Sequence, residues 1–257
     1  MKSFWLAKAK ANLLYHDIPG HGSPLVFIHG LGCASSCDYP AVAADPALAG
    51  RRMLLVDLLG SGFSDRPAGF SYTVADHAQT IADVVTEIAP GGVDLFGHSM
   101  GGAVAIMAAR LLGPCVRTLI LAESNLDPGG GASSRKIAAM SEADYVAQGH
   151  EVLIRASRLD GNIAWAASLA LSAPIAVHRA SRSLVAGCDP TWRAMLLELP
   201  IPRRMIFGEL SLASSSDATR LPREGIDVEI IAKAGHGIAT DNAAGLASAI
   251  RRALPMD

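Results

Sequence analysis

The sequence predicts an α/β domain: a mostly parallel sheet flanked by helices and interrupted once by a block of helices alone. Three observations lead there. Short apolar runs alternate with helical patterns, as in a parallel sheet whose faces are both covered. Several of those runs stop at glycine-containing loops. From about Asn125 to Pro200, helical patterns follow one another with no strand between them.

The stretch FWLAKAKANLLYHDI (4–18) alternates like a pair of strands, with lysines and Asn12 near the turn. PLVFIH (24–29) is a buried-strand run that ends at His29-Gly30-Leu31-Gly32, and RMLLVD (52–57) is another, ending at Asp57 before Gly60 and Gly62. VDLFGH (93–98) and VRTLILAE (116–123) enclose a small-residue helix from Met100 to Leu112, which Gly113-Pro114 terminates. In the helical block, Ser141 and Asp144 make a capping box ahead of YVAQGHEVLIRASRL. NIAWAASLALSA then stops at Pro174, and IAVHRASRSLVAG ends at Gly187. Strands resume with RRMIFG (203–208) and DVEIIA (227–232), and the last helix runs to about Leu254. Ligands of open α/β sheets bind beyond the strand C-terminal ends. The helical block is therefore expected there as a lid, with GGGASS (129–134) as its hinge. The domain reading is a core of residues 1–124 and 201–257 with a helical cap subdomain over 125–200.

Composition excludes several partner classes. The chain has 257 residues, half of them hydrophobic, and a net charge of -2, so a sizeable core is available and no basic surplus points to nucleic acid or anionic membrane. The N-terminal stretch is broken by Lys2, Lys8 and Lys10, and no window approaches a membrane span. A cytoplasmic protein with a small-molecule partner and no membrane insertion is expected. Cys33, Cys37, Cys115 and Cys188 show no zinc-type spacing and read as reduced thiols.

GHSMGG (97–102) follows a buried strand and opens a helix. Its Gly97-His98-Ser99-Met100-Gly101 is a G-x-S-x-G turn, in which small neighbours at 97 and 101 let the backbone bend sharply and push Ser99 outward at a helix N-terminus. A serine hydroxyl is protonated at neutral pH and needs a base within reach. Of eight histidines, His16, His21 and His77 fall in segments read as surface, while His150 and His178 ride on cap helices. His98 adjoins Ser99 but points elsewhere on so sharp a turn and reads as structural. His236, between two glycines after the last strand, faces the same sheet edge as Ser99 and is the candidate base.

With HGLG (29–32), DLLGSGFSDRP (57–67), GHSMGG (97–102) and GHGIATDN (235–242) in this order and spacing, nearly the whole chain resembles the α/β-hydrolase superfamily. The resemblance implies eight strands, a helical cap after the sixth, and serine, acid and histidine in that chain order. It also implies an oxyanion hole from the backbone amides of Met100 and of Leu31 or Gly30. Asp57, Asp65 and Arg66 lie in a loop that is mainly architectural in such proteins. Serine at position 99 sets the chain apart from relatives whose nucleophile is aspartate.

The acid is the departure. Where many relatives carry G-E-x-D after the seventh strand, this chain reads Gly208-Glu209-Leu210-Ser211, and Ser211 cannot carry a charge. Glu123 ends the strand next after the nucleophile strand and reaches the same edge. Certain lactone-cleaving members resemble this in placing a glutamate there. Glu123 is the preferred acid; Asp217, Glu209 and a dyad with no acid stay open. The implied activity is serine hydrolysis of a carboxylic ester or lactone without metal or organic cofactor. The substrate is expected to be a small to medium apolar molecule, with Trp165, Trp192 and Met195 as substrate-binding candidates. Carbon–carbon bond hydrolysis, cofactor-free perhydrolysis and a ligand receptor with vestigial turnover are the alternatives. Oligomeric state is not legible.

Overall fold

A computed structural model of the chain describes residues 1–214 and 216–255. Its strands are β1 (Lys2–Leu6), β2 (Ala11–Ile18), β3 (His21–Ile28), β4 (Arg51–Val56), β5 (Val93–His98), β6 (Val116–Ala122), β7 (Arg203–Gly208) and β8 (Asp227–Ile231). They form one sheet in the order β1-β2-β4-β3-β5-β6-β7-β8. β1 pairs with β2, and β2 with β4, antiparallel; every other pair is parallel. This is the expected mostly parallel eight-stranded α/β sheet.

The helices are α1 (Ser35–Asp38), α2 (Pro40–Ala43), α3 (Val74–Ile88), α4 (Met100–Leu112), α5 (Ala132–Ala138), α6 (Glu142–Asp144), α7 (His150–Leu159), α8 (Ile163–Ala170), α9 (Pro174–Ala186), α10 (Trp192–Glu198), α11 (Asp217–Arg220), α12 (Ile238–Asp241) and α13 (Ala243–Ala253). Helices α5 to α10 fill the whole interval between β6 and β7, with a short π-helical turn at Tyr145–Gly149. Ser141 Oγ accepts from the Asp144 amide at 3.1 Å, so the capping box forms. No single described helix is long and apolar enough to cross a membrane.

Period-two alternation assigns each strand's side chains to two cores. In β3, Val26 and Ile28 join the larger cluster with α3 and α4, while Leu25 and Phe27 join the smaller one beneath α13. In β6, Leu119 and Leu121 divide from Ile120 and Ala122 in the same way. The smaller core is braced by Phe27, Tyr39 and Phe96, with ring centroids 5.1–5.5 Å apart. These buried faces hold the strands in register, so the C-terminal ends of β3, β5, β6 and β7 arrive at one edge. His77 corrects the surface reading of its segment. It lies on the inner face of α3 at 2 % exposure, against Phe70 and Tyr72.

Candidate active site

Ser99 stands at the junction of β5 and α4 with φ 54° and ψ -119°, a conformation costly for any residue with a Cβ. Three hydrogen bonds hold it there. Its amide donates to Ala122 O at 2.9 Å, and its carbonyl accepts from Gly102 N at 3.0 Å and Asn125 N at 3.3 Å. The glycines explain why α4 can start so close to the sheet. A Cβ on Gly97 would strike the Gly101 carbonyl, and one on Gly101 would strike the carbonyls of Ile28 and His29. The sequence thus buys the bend with glycine and concentrates the strain on the serine.

His236 lies between β8 and α12, and its Nε2 is 3.1 Å from Ser99 Oγ. Its loop is tied at two points: Asp241 Oδ2 accepts from Gly235 N at 2.8 Å, and His98 Nε2 donates to the His236 carbonyl at 2.8 Å. Burial pushes the His98 imidazole down to about 3, so it stays neutral. His98 was read as structural, and its visible role is to hold the main chain of the second histidine.

Glu123 sits one residue past β6 at φ 48°. Its amide donates to Ile206 O at 3.0 Å, and its Oε1 accepts from Gly208 N at 2.9 Å. The other oxygen, Oε2, is 3.5 Å from His236 Nδ1; the carboxylate is 8 % exposed and the imidazole 60 %. Burial alone would raise this carboxyl. Hydrogen bonds from His236, the Gly208 amide and Ser211 outweigh it and hold the group below its ordinary value. Ser211, at the place where many relatives carry an aspartate, is thus the smallest of the influences that lower the glutamate. The geometry suits a tautomer with Nδ1–H toward the carboxylate and Nε2 toward the serine hydroxyl.

The other acids are engaged elsewhere. Asp217 accepts from Arg193 Nη2 at 2.8 Å, and the same guanidinium binds Asp127 at 2.6 Å. Glu209 Oε2 accepts from Lys233 N at 2.9 Å. Asp57 accepts from the amides of Ser36 at 2.9 Å and Phe63 at 3.0 Å, and so braces its loop.

The amides of Leu31 and Met100 have no acceptor among the described residues, and both lie beside Ser99: Met100 follows it, and a Cβ built on Gly30 would sit 3.3 Å from Ser99 Cβ. His29, buried at the end of the β3 run, accepts from Leu58 N on Nε2 at 3.0 Å and so donates from Nδ1 to Gly30 O at 2.8 Å. The motif HGLG points to the amides of its loop and not to this histidine. The signal was present, since a polar side chain closing an apolar strand requires a partner.

The three substrate-binding candidates part company. Trp165 meets the site, its indole Nε1 donating to Leu31 O at 2.9 Å. Trp192 is a core side chain at 1 % exposure. Met195 lines a groove with Ala75, Gln79, Met107 and Leu111, against the far half of α4. At 1.5 Å per residue, that half is roughly 12–18 Å along the helix from Ser99, so Met195 is corrected to a residue of the α3–α4 face. Periodicity marked both side chains as apolar but not what they would pack on.

A profile described as "Alpha/beta hydrolase family" matches residues 25–249. A 2-hydroxy-6-oxo-2,4-heptadienoate hydrolase of Pseudomonas putida is 34 % identical over 107 residues, 41 % of this chain and 38 % of that one. The chain matches the curated relatives over less than two fifths of their length. Among solved structures, an esterase from Thermogutta terrifontis superposes with a TM-score of 0.79 at 21 % identity, over 98 % of this chain and 96 % of that one. An enol-lactonase from Burkholderia xenovorans gives 0.80 at 17 %, over 98 % and 99 %. At these identities the likeness is one of fold.

Proposed function

The chain belongs to the alpha/beta hydrolase family, and from that premise we propose that it is a serine hydrolase of carboxylic esters or lactones. One observation carries the reading: Ser99 Oγ, at a strained strand-to-helix turn, lies 3.1 Å from a histidine whose other nitrogen faces a carboxylate held ionised. In this mechanism Ser99 attacks the carbonyl carbon while His236 Nε2 takes its proton. The Leu31 and Met100 amides bind the oxyanion, and Gly30 shapes the loop that presents the first of them. The imidazolium returns the proton to the leaving alkoxide, and an acyl-serine remains. Water, deprotonated by His236, then attacks the acyl-serine, and the imidazolium returns that proton to the departing Ser99 Oγ as the acid is released. Glu123 stays ionised throughout and fixes the Nδ1–H tautomer.

Residues 125–200 act in this reading as a cap subdomain over the strand ends. The substrate is a small to medium apolar ester or lactone, a choice supported by the uncharged Trp165, Leu169 and Leu210 around the amide and histidine loops. Arg193, the buried cation of the insertion, is already matched by Asp127 and Asp217 and is not an anchor for an anionic substrate. Hydrolysis of a carbon–carbon bond on the same triad is the second reading, supported by the name of the Pseudomonas putida relative.

A fluorophosphonate label read by peptide mass spectrometry, beside a panel of p-nitrophenyl esters, lactones and a dienoate diketone, tests this. Labelling at Ser99 with ester or lactone turnover is expected. An unlabelled Ser99 would sink every serine-enzyme reading, and turnover of the diketone alone would select the second.

A further inference from the structure

Leu31 is held at the peptide groups on both of its sides. The Gly30 carbonyl shares a peptide plane with the Leu31 amide, and it accepts from His29 Nδ1 at 2.8 Å and Cys33 N at 3.2 Å. In a planar trans peptide the carbonyl and the amide N–H point in opposite directions, so these bonds aim the Leu31 N–H the other way. The next peptide is held through its carbonyl, which accepts from Trp165 Nε1 at 2.9 Å. Hydrogen bonds thus restrain the peptide planes on both sides of Leu31, between which its two backbone dihedrals lie.

Trp165 stands on α8, inside the helical insertion, and its neighbours dock on the same loop. Leu169 packs on Gly32 so closely that a Cβ there would lie 2.5 Å from Leu169 Cδ1. Ser168 Oγ donates to Asp38 Oδ1 at 3.1 Å, and Asp38 ends the short helix α1 that follows the loop. Behind α8, the Leu169 carbonyl accepts from His150 Nε2 at 3.0 Å, and His150 Nδ1 meets Tyr145 Oη at 3.0 Å. The helix is therefore braced from within the insertion and pressed onto the loop from outside the sheet.

We propose that Trp165 is a positioning residue of the oxyanion amide, so that the helical insertion sets the rate of the chemical step through the Leu31 N–H as well as walling the pocket. The inference rests on the serine-hydrolase reading. A wall residue contacts bound substrate and its loss moves KM, whereas an aimed amide acts on the charge that develops only in the transition state and its loss moves kcat.

Trp165→Phe keeps the ring and removes the N–H. On the best p-nitrophenyl ester, kcat is expected to fall about tenfold with KM within about twofold. The inhibition constant of a trifluoromethyl ketone, which becomes a tetrahedral oxyanion on Ser99, should rise by the same factor, while that of the product acid stays put. Should the indole be needed for folding, Ser168→Ala loosens α8 beside an intact Trp165, and a kcat-only loss of about threefold is expected. An active, Ser99-labelled wild type whose Trp165→Phe form keeps its kcat, or changes only in KM, overturns the proposal and leaves the serine-hydrolase reading standing. A wild type without turnover or labelling overturns that reading instead.

Discussion

Replacing Glu123 by glutamine and Asp217 by asparagine separates catalysis from architecture. The Glu123 carboxylate lies 3.5 Å from His236 Nδ1. Opposite unit charges at that separation attract by about 5 kcal/mol at an effective dielectric near 20. Solvent around the exposed imidazole screens roughly half of this, so the imidazolium formed as Ser99 attacks loses about 2.5 kcal/mol of support in Glu123→Gln. That corresponds to a fall in kcat on the order of a hundredfold. Asp217 makes a different bond. It shares the buried Arg193 with Asp127, and Glu224 Oε2 lies 3.5 Å from the same guanidinium. Asp217→Asn therefore leaves a cation that is still partly matched, at a cost of about 1–2 kcal/mol and roughly 2–8 °C in Tm. Its kcat should stay within about twofold. The assay is steady-state turnover of one ester, paired with thermal unfolding of the same preparations. Near-wild-type kcat in Glu123→Gln, or a hundredfold loss in Asp217→Asn, would refute the assignment of the acid.

Other expectations follow from groups nearby. His77 is buried and its imidazole is pushed down to about 3, so between pH 6.5 and pH 3 the unfolded chain binds a proton that the folded one refuses. Stability should fall by about 1.4 kcal/mol per pH unit as pH drops through that window, with His98 adding in the same direction, and His77→Leu should flatten the slope by nearly one proton in urea titrations. Equal slopes in the two proteins would count against a neutral buried ring. Gly101→Ala forces a Cβ into the carbonyls of Ile28 and His29, and a loss of about 3 kcal/mol or more is expected in urea; a change under about 1 kcal/mol would mean the backbone can yield. His98→Phe removes the donor to the His236 carbonyl and should lower kcat about tenfold, and an unchanged kcat would show that bond to be idle.

Much of this arrangement was legible because glycine and apolar runs carry local instructions. The runs at 24–29, 52–57, 93–98 and 116–123 had to be strands buried on both faces, and their loops had to open at one edge. Ser99 and His236 could be singled out from their positions on that edge. Glu123 is preferred from strand order alone, and the register, which pairs Gly97 with Leu121 and His98 with Ala122, brings it to that edge. What escaped notice depends on partners distant in the chain. Nothing local tells Trp165 that its indole will meet a carbonyl 134 residues away, or His77 that its helix face will turn inward. Trp192 and Met195 share one reason for being misread. An apolar stripe states that a surface will be covered and leaves open by what.

The neck of the insertion also tells an engineer where to cut. The Arg193 amide donates to the Leu126 carbonyl at 2.8 Å and its guanidinium clasps Asp127, so the outgoing and returning chains are stapled together just above the sheet. A chimera that exchanges residues 128–191 for the helices of another family member keeps this staple, and Glu123 keeps its bonds to Ile206 and Gly208. It gives up the indole on α8. Such a graft would inherit Ser99, His236 and Glu123 in place, beside a Leu31 loop still held at the Gly30 carbonyl but without its indole donor, and the first repair to install is a donor that reaches the Leu31 carbonyl.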